Sequence, residues 1–165
     1  MTEQDAALDR RKRRPPPSEI PVNCKIMIID KLRKIHKTHR LINGDVSSHT
    51  KSAQRITKEW QEAIKTDMVH TEVPVSPENN EKIDVIDLSS KTAYEVKVSG
   101  KNTHHEFYKD IAKVLTYNEY EDVKIIKLIF LSEPEGVNSL KKRLDPRFVS
   151  LMKRKHNIEF ELISI

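Results

Sequence analysis

The chain has only three glycines among its 165 residues, Gly44, Gly100 and Gly136, and no two of them lie close together. Loops that cradle phosphates need clustered glycines, because only then can backbone N–H groups approach the anion closely. A Walker loop and a dinucleotide fingerprint are therefore excluded, and no nucleotide cofactor is expected. The single cysteine, Cys24, cannot form an internal disulfide, and no Cys/His spacing suits a zinc site. No apolar run approaches about eighteen residues, and no hydrophobic segment follows the Arg-rich start, so the sequence predicts neither a membrane span nor a secretory signal. The expectation is a soluble cytoplasmic protein, nucleoid-associated if its source is prokaryotic, with no membrane partner.

Positive charge is plentiful but unevenly placed. The chain carries 30 Lys and Arg against 25 Asp and Glu, a net charge of +5. Eleven of the basic groups and five of the acidic ones fall in the first forty residues, so the remaining 125 carry a net charge of −1. The run Arg10, Arg11, Lys12, Arg13, Arg14 is followed by Pro15-Pro16-Pro17, a repelling charge block and then residues without backbone donors. Residues 1–17 are thus expected to be a disordered basic arm, and 18–165 a single domain. Such an arm can follow a nucleic-acid backbone through counterion release, or act only as a solubilising tail.

Apolar spacing outlines the domain. Val22, Ile26, Ile29, Leu32 and Ile35 recur at helical steps between about Pro21 and Leu41, and Ala53, Ile56, Trp60 and Ala63 or Ile64 repeat that step over Lys51 to Thr66. A polar loop around Gly44 joins them. The period then changes: Met68 to Val75, Lys82 to Leu88 and Thr92 to Val98 are short and β-branched, separated by turn residues, and predict a three-stranded meander. Thr103 and Glu106 have the spacing of a capping box for a helix running to about Tyr120. Val123 to Leu131 predicts a buried strand, Gly136 to His156 a helix broken at Asp145-Pro146, and Ile158, Phe160 and Leu162 a closing strand. The expected class is α/β, a mixed β-sheet flanked by helices.

The chemistry concentrates in Ile83 to Val98. Alternation along a strand puts Glu95 and Lys97 on one face and Tyr94, Val96 and Val98 on the other. The preceding loop decides which aspartate joins them. A two-residue turn at Ser89-Ser90 sets Asp84 opposite Glu95, a four-residue loop from Ser89 to Thr92 sets it opposite Lys97, and an odd loop brings in Asp87 instead. Two carboxylates suit a hard Mg²⁺ ion, with Mn²⁺ able to substitute, and such an ion polarises a phosphodiester and acidifies a bound water. A lysine beside them can hold that water and offset phosphate charge. The same pattern would also arise from a solvated strand face carrying a weak Glu95–Lys97 ion pair, but the Ile and Val around Asp84 argue for a strand buried on both faces, where an unpaired acid is unfavourable.

An Asp followed after ten residues by Glu95-Val96-Lys97, on the second and third strands of a helix, three-strand, helix, strand order, resembles the PD-(D/E)xK nuclease superfamily of restriction endonucleases, Holliday-junction resolvases and RecB-type exonuclease domains. The resemblance spans roughly residues 51–131 and implies a restriction-endonuclease-like αβββαβ core, here with an added C-terminal helix and strand. It implies Asp84 and Glu95 as metal ligands and Lys97 as the lysine acting on the attacking water. Members often add an acid on the first helix, for which Glu59 lies closer than Glu62 to the Ile56/Trp60 stripe. Ile83 stands where the family usually has proline, and Lys113-Val114-Leu115-Thr116-Tyr117 stands where RecB-like members have a Gln and, four residues on, a Tyr. Lys113 and Tyr117 are accordingly expected to contact DNA, although an intrahelical Asp110–Lys113 pair would equally account for Lys113. His104 and His105 are expected to be exposed, and Trp60 to be core.

The resulting expectation is a Mg²⁺-dependent DNA endonuclease in restriction, defence or DNA processing, with DNA as partner and a homodimer if both strands are cut. The alternatives are a non-catalytic nucleic-acid-binding or assembly module of the same fold, and an RNA-processing nuclease.

Overall fold

The computed structural model describes residues 23–43 and 49–165. The basic arm at residues 1–17, with Arg10 to Arg14, and the centre of the loop at Gly44 lie outside the described residues. Ten elements follow one another: α1 (Cys24–Asn43), α2 (His49–Ile64), β1 (Val69–Pro74), β2 (Lys82–Asp87), β3 (Thr92–Lys97), α3 (Thr103–Tyr120), β4 (Lys127–Ser132), α4 (Pro134–Arg143), α5 (Pro146–His156) and β5 (Glu159–Ser164). The strands form one sheet in the order β1-β2-β3-β4-β5. The β1–β2 and β2–β3 pairs are antiparallel, as short turns require, and β3–β4 and β4–β5 are parallel, joined through helices. The class expected from sequence, a mixed sheet flanked by helices, is the class observed.

Helices cover both faces. On one face Ile28 and Leu32 of α1 and Ile56, Trp60 and Ile64 of α2 pack on Val85, Tyr94, Ile129 and Leu131. Trp60 is fully buried, and its indole N–H donates to the Ile28 carbonyl at 2.9 Å, which ties the two helices together. On the other face Phe107, Ile111 and Val114 of α3, Leu140 of α4 and Met152 of α5 cover Ile86, Ala93, Leu128 and Phe130. The central strands are buried on both faces, which is why their sequences read as nearly continuous apolar runs.

Several element ends depart from the sequence reading. Strand β4 begins at Lys127 rather than Val123 because the Asn118 side chain, at the end of α3, bonds both to the Ile125 N–H (2.7 Å) and to its carbonyl (2.9 Å). Asp145 caps α5 as expected, accepting from the Arg147 N–H at 2.8 Å with Pro146 in the first turn. The Thr103–Glu106 capping box does not form. Thr103 is already helical, and its hydroxyl donates to the Gly136 carbonyl at 3.1 Å. A Cβ on Gly136 would lie 2.6 Å from Thr103 Cγ2, so only glycine lets the starts of α3 and α4 meet here.

Candidate active site

The β2–β3 pairing runs Asp87↔Thr92, Ile86↔Ala93, Val85↔Tyr94, the register that a Ser89-Ser90 turn gives, although the ladder itself closes at Asp87↔Thr92. Continued by one residue, that register sets Asp84 against Glu95. The ladder stops there, and Asp84 Oδ2 instead accepts the Val96 N–H at 2.9 Å. On the other side, β1 and β2 pair at Thr71↔Val85 and Val73↔Ile83 and skip Glu72 and Asp84 between them. Glu72 has a left-handed backbone, φ 52°, unusual for a side-chain-bearing residue inside a strand. Alternation along β2 breaks at the same point, since Ile83 and Ile86 both join the α3-side core while Val85 joins the other. Asp84 thus sits where the sheet opens on both of its edges.

Asp87, the other candidate first ligand, is occupied elsewhere. It is buried at the turn, where its carboxylate accepts from the Ser89 hydroxyl (2.6 Å), the Ser90 hydroxyl (2.7 Å) and the Ser89 N–H (3.0 Å). Burial pushes its carboxyl up, but these donors outweigh burial and hold it below the usual range.

Glu95 and Lys97 share the α3 face, as alternation requires. Glu95 is only 2% exposed and accepts from Lys113 Nζ at 3.1 Å. Lys113 also lies 2.8 Å from Asp110 Oδ1 one turn earlier on α3. Burial, then the charges of Asp84 and Asp110, push the Glu95 carboxyl well above its ordinary range against the pull of Lys113. Burial also raises Asp84, opposed by the Val96 N–H, by Lys113 and by a hydrogen bond with Glu95. Asp110 is pushed up to about 6, again chiefly by burial. For Lys113, burial favours loss of the proton, but Glu95 and Asp110 overcome this and hold the ammonium charged.

Lys97 extends further out. Its side chain is 35% exposed, its Nζ is 4.0 Å from Glu106 Oε1, and with Asp84 it lines a cleft of about 590 Å³ between β2, β3 and α2. The far wall is the polar face of α2, with Gln54, Thr57, Lys58 and Gln61, and Glu72 closes one side. Gln61 donates to both the Asp84 carbonyl and Glu72 Oε1, each at 3.0 Å.

Two sequence expectations are corrected by this arrangement. Glu59 does not point at the sheet: it is 57% exposed and bonds to His39 on α1 at 2.8 Å. At about 100° per residue, Glu59 and Gln61 flank Trp60 on opposite sides, and the buried Trp60 turns Gln61, not Glu59, toward β2. Lys113 and Tyr117 were expected to reach DNA, with an intrahelical Asp110–Lys113 pair as the alternative; the pair is present, Lys113 also points inward to Glu95, and Tyr117 packs in the α3-side core. Gln61 and Glu72 were not singled out from sequence, and no glycine or asparagine marks the left-handed position.

Among the described residues no group of three or more His, Cys, Asp and Glu side chains converges on one point to hold a metal. The pair Asp84 and Glu95 nonetheless fits a divalent cation of the Mg²⁺ type, which is typically held by one or two carboxylates with water and phosphate oxygens completing the shell. Two buried acids, Glu95 and Asp110, flank the Lys113 ammonium, and the half-buried Asp84 lies beside Glu95 at the cleft. No helix among the described residues is long and apolar enough to cross a membrane. Compared with known proteins, the chain matches no protein-family model, no curated protein and no solved structure.

Proposed function

We propose that this chain is a Mg²⁺-dependent endodeoxyribonuclease of the PD-(D/E)xK type, built on a restriction-endonuclease-like core running from α2 to β4. The observation that carries the reading is the approach of Asp84 to Glu95 where the β2–β3 ladder ends, with Asp84 and Lys97 lining one cleft and Glu95 buried behind it. Closure of the ladder one residue short turns the Asp84 carboxylate to the Val96 N–H of β3.

Asp84 and Glu95 would hold the cation, which when bound supplies Lewis-acid polarisation of the phosphodiester and a more acidic water. Lys97, partly exposed at the cleft, positions the attacking water and offsets the charge that builds on the phosphate oxygens. Lys113 holds Glu95 in place from beneath. The polar α2 wall, with Gln54, Thr57 and Lys58, offers donors to the nucleic-acid backbone passing over the cleft. One such site cuts one strand, so cleavage of both strands calls for a homodimer.

A second reading, a non-catalytic DNA-binding module of the same fold, is favoured by one observation: the Lys113 ammonium already occupies Glu95. Incubation of supercoiled plasmid with the intact protein and Mg²⁺ or Mn²⁺ separates the two. Nicking that Glu95→Ala and Lys97→Ala abolish supports the nuclease. DNA retention with no metal-dependent nicking supports the module, and a panel including RNA tests the substrate.

A further inference from the structure

We propose that Lys113 is a built-in second cation of the site, so that the site takes one divalent ion and not two. This rests on the nuclease reading above and concerns how many ions that site accepts. The Lys113 Nζ lies between two carboxylates from different elements, 3.1 Å from Glu95 Oε1 on β3 and 2.8 Å from Asp110 Oδ1 on α3. All three side chains are nearly buried, so the contact is little screened by solvent.

The arrangement divides Glu95 between two neighbours. One is the ammonium, 3.1 Å away, and the other is Asp84, close enough for its charge to act on Glu95. A divalent ion engaging Asp84 and Glu95 therefore meets Glu95 from one side while Lys113 holds it from the other. A second ion between Glu95 and Asp110 would have to evict a charged lysine from a position enclosed by β3 and α3.

With Lys113 made neutral, the Glu95–Asp110 half becomes a pair of acids with no counter-charge, open to a second hard cation.

The test is a titration of the intact chain with Mn²⁺ in the absence of nucleic acid, with free ion followed by electron paramagnetic resonance. The wild type is expected to bind one ion per chain, a stoichiometry that Asp84→Asn abolishes. Lys113→Gln is expected to bind two, and Lys113→Arg, which keeps the charge, one. A double variant, Asp110→Asn with Lys113→Gln, removes one acid along with the ammonium and is expected to return to one ion, which separates loss of charge from general loosening of the fold. Two ions on the wild type, or a single ion on a folded Lys113→Gln chain, overturns the proposal while leaving the nuclease reading standing. No ion on the wild type overturns both.

Discussion

The Asp84 carboxylate accepts the Val96 backbone N–H at 2.9 Å, so at the point where β2 and β3 part a side chain closes the gap between the strands. The same group carries the proposed cation contact and a structural hydrogen bond, and the two roles can be separated. An asparagine at 84 keeps an oxygen to accept from Val96 but loses the negative charge. Asp84→Asn is expected to reduce metal-dependent nicking by more than about a hundredfold. Its thermal midpoint should stay level or rise, because burial already disfavours the ionised form. Plasmid assays and calorimetry on the same preparation check both halves, and a large fall in midpoint would show the contact to be mainly structural.

Asp110 gives the site a pH signature. Its carboxyl moves from an ordinary value of 3.8 to about 6 in the folded chain. Between those values the folded state keeps a proton that the unfolded state has lost, so this group's contribution to stability is fully present below about pH 4 and lost as pH rises through about 6. Compared with Asp110→Asn, the wild type should therefore lose stability over that interval when no divalent ion is present. Urea titrations at pH 4, 5, 6 and 7 measure the difference, and a gap that does not grow with pH would count against the burial of Asp110.

Glu72 tests the opening of the sheet from the other side. Its left-handed backbone, φ 52°, is easy for glycine and strained for a β-branched residue. Glu72→Gly should alter stability by less than about 1 kcal/mol, while Glu72→Val, a good strand former on propensity alone, should lower it by about 1–3 kcal/mol. Equal effects of the two in denaturant melts would mean that β1 runs straight past Asp84.

Gly136 of α4 packs against the segment that follows β3 and against the end of β4. A methyl there would come within 2.7 Å of Ser132 Oγ and 2.8 Å of Gly100 Cα, three residues beyond Lys97. Gly136→Ala is expected to destabilise the chain by about 1–3 kcal/mol through overpacking. It should also weaken nicking at temperatures where the chain remains folded, since the segment after Lys97 must shift. Paired melts and plasmid assays decide this.

What could be read from the sequence follows from how local each signal is. The helices of Ile29, Leu32, Ile56 and Trp60, the three short strands and the Asp145-Pro146 break are recorded in spacing, which neighbours in the chain carry by themselves, although Ile28 and not the exposed Ile26 joins the core. The shared face of Glu95 and Lys97 was legible from alternation, but the choice between Asp84 and Asp87 was not, because it depends on a turn length that the sequence leaves open. Gln61 was not, because the side of the Trp60 stripe that faces β2 depends on how α2 docks against α1 and the sheet. Thr103 carried a capping signature, yet its hydroxyl went to Gly136, a partner 33 residues away that no local pattern records. Lys113 stood out as a departure from the related pattern, but its two carboxylate partners became visible only once α3 lay across β3.

The hydroxyl-bound Asp87 turn has a consequence at the opposite end of its hairpin. Side chains on a strand alternate, so a slip of one residue in this turn would send Glu95 and Lys97 to the α1/α2 side and bring Tyr94 and Val96 to the α3 side. The Ser89 and Ser90 hydroxyls, bonded at 2.6 and 2.7 Å, thus choose which side chains meet Asp84 without approaching it. Ser89, Ser90 and Asp87 act as the clasp of the hairpin, and loosening the clasp would erase the site while leaving every residue of the site in the chain.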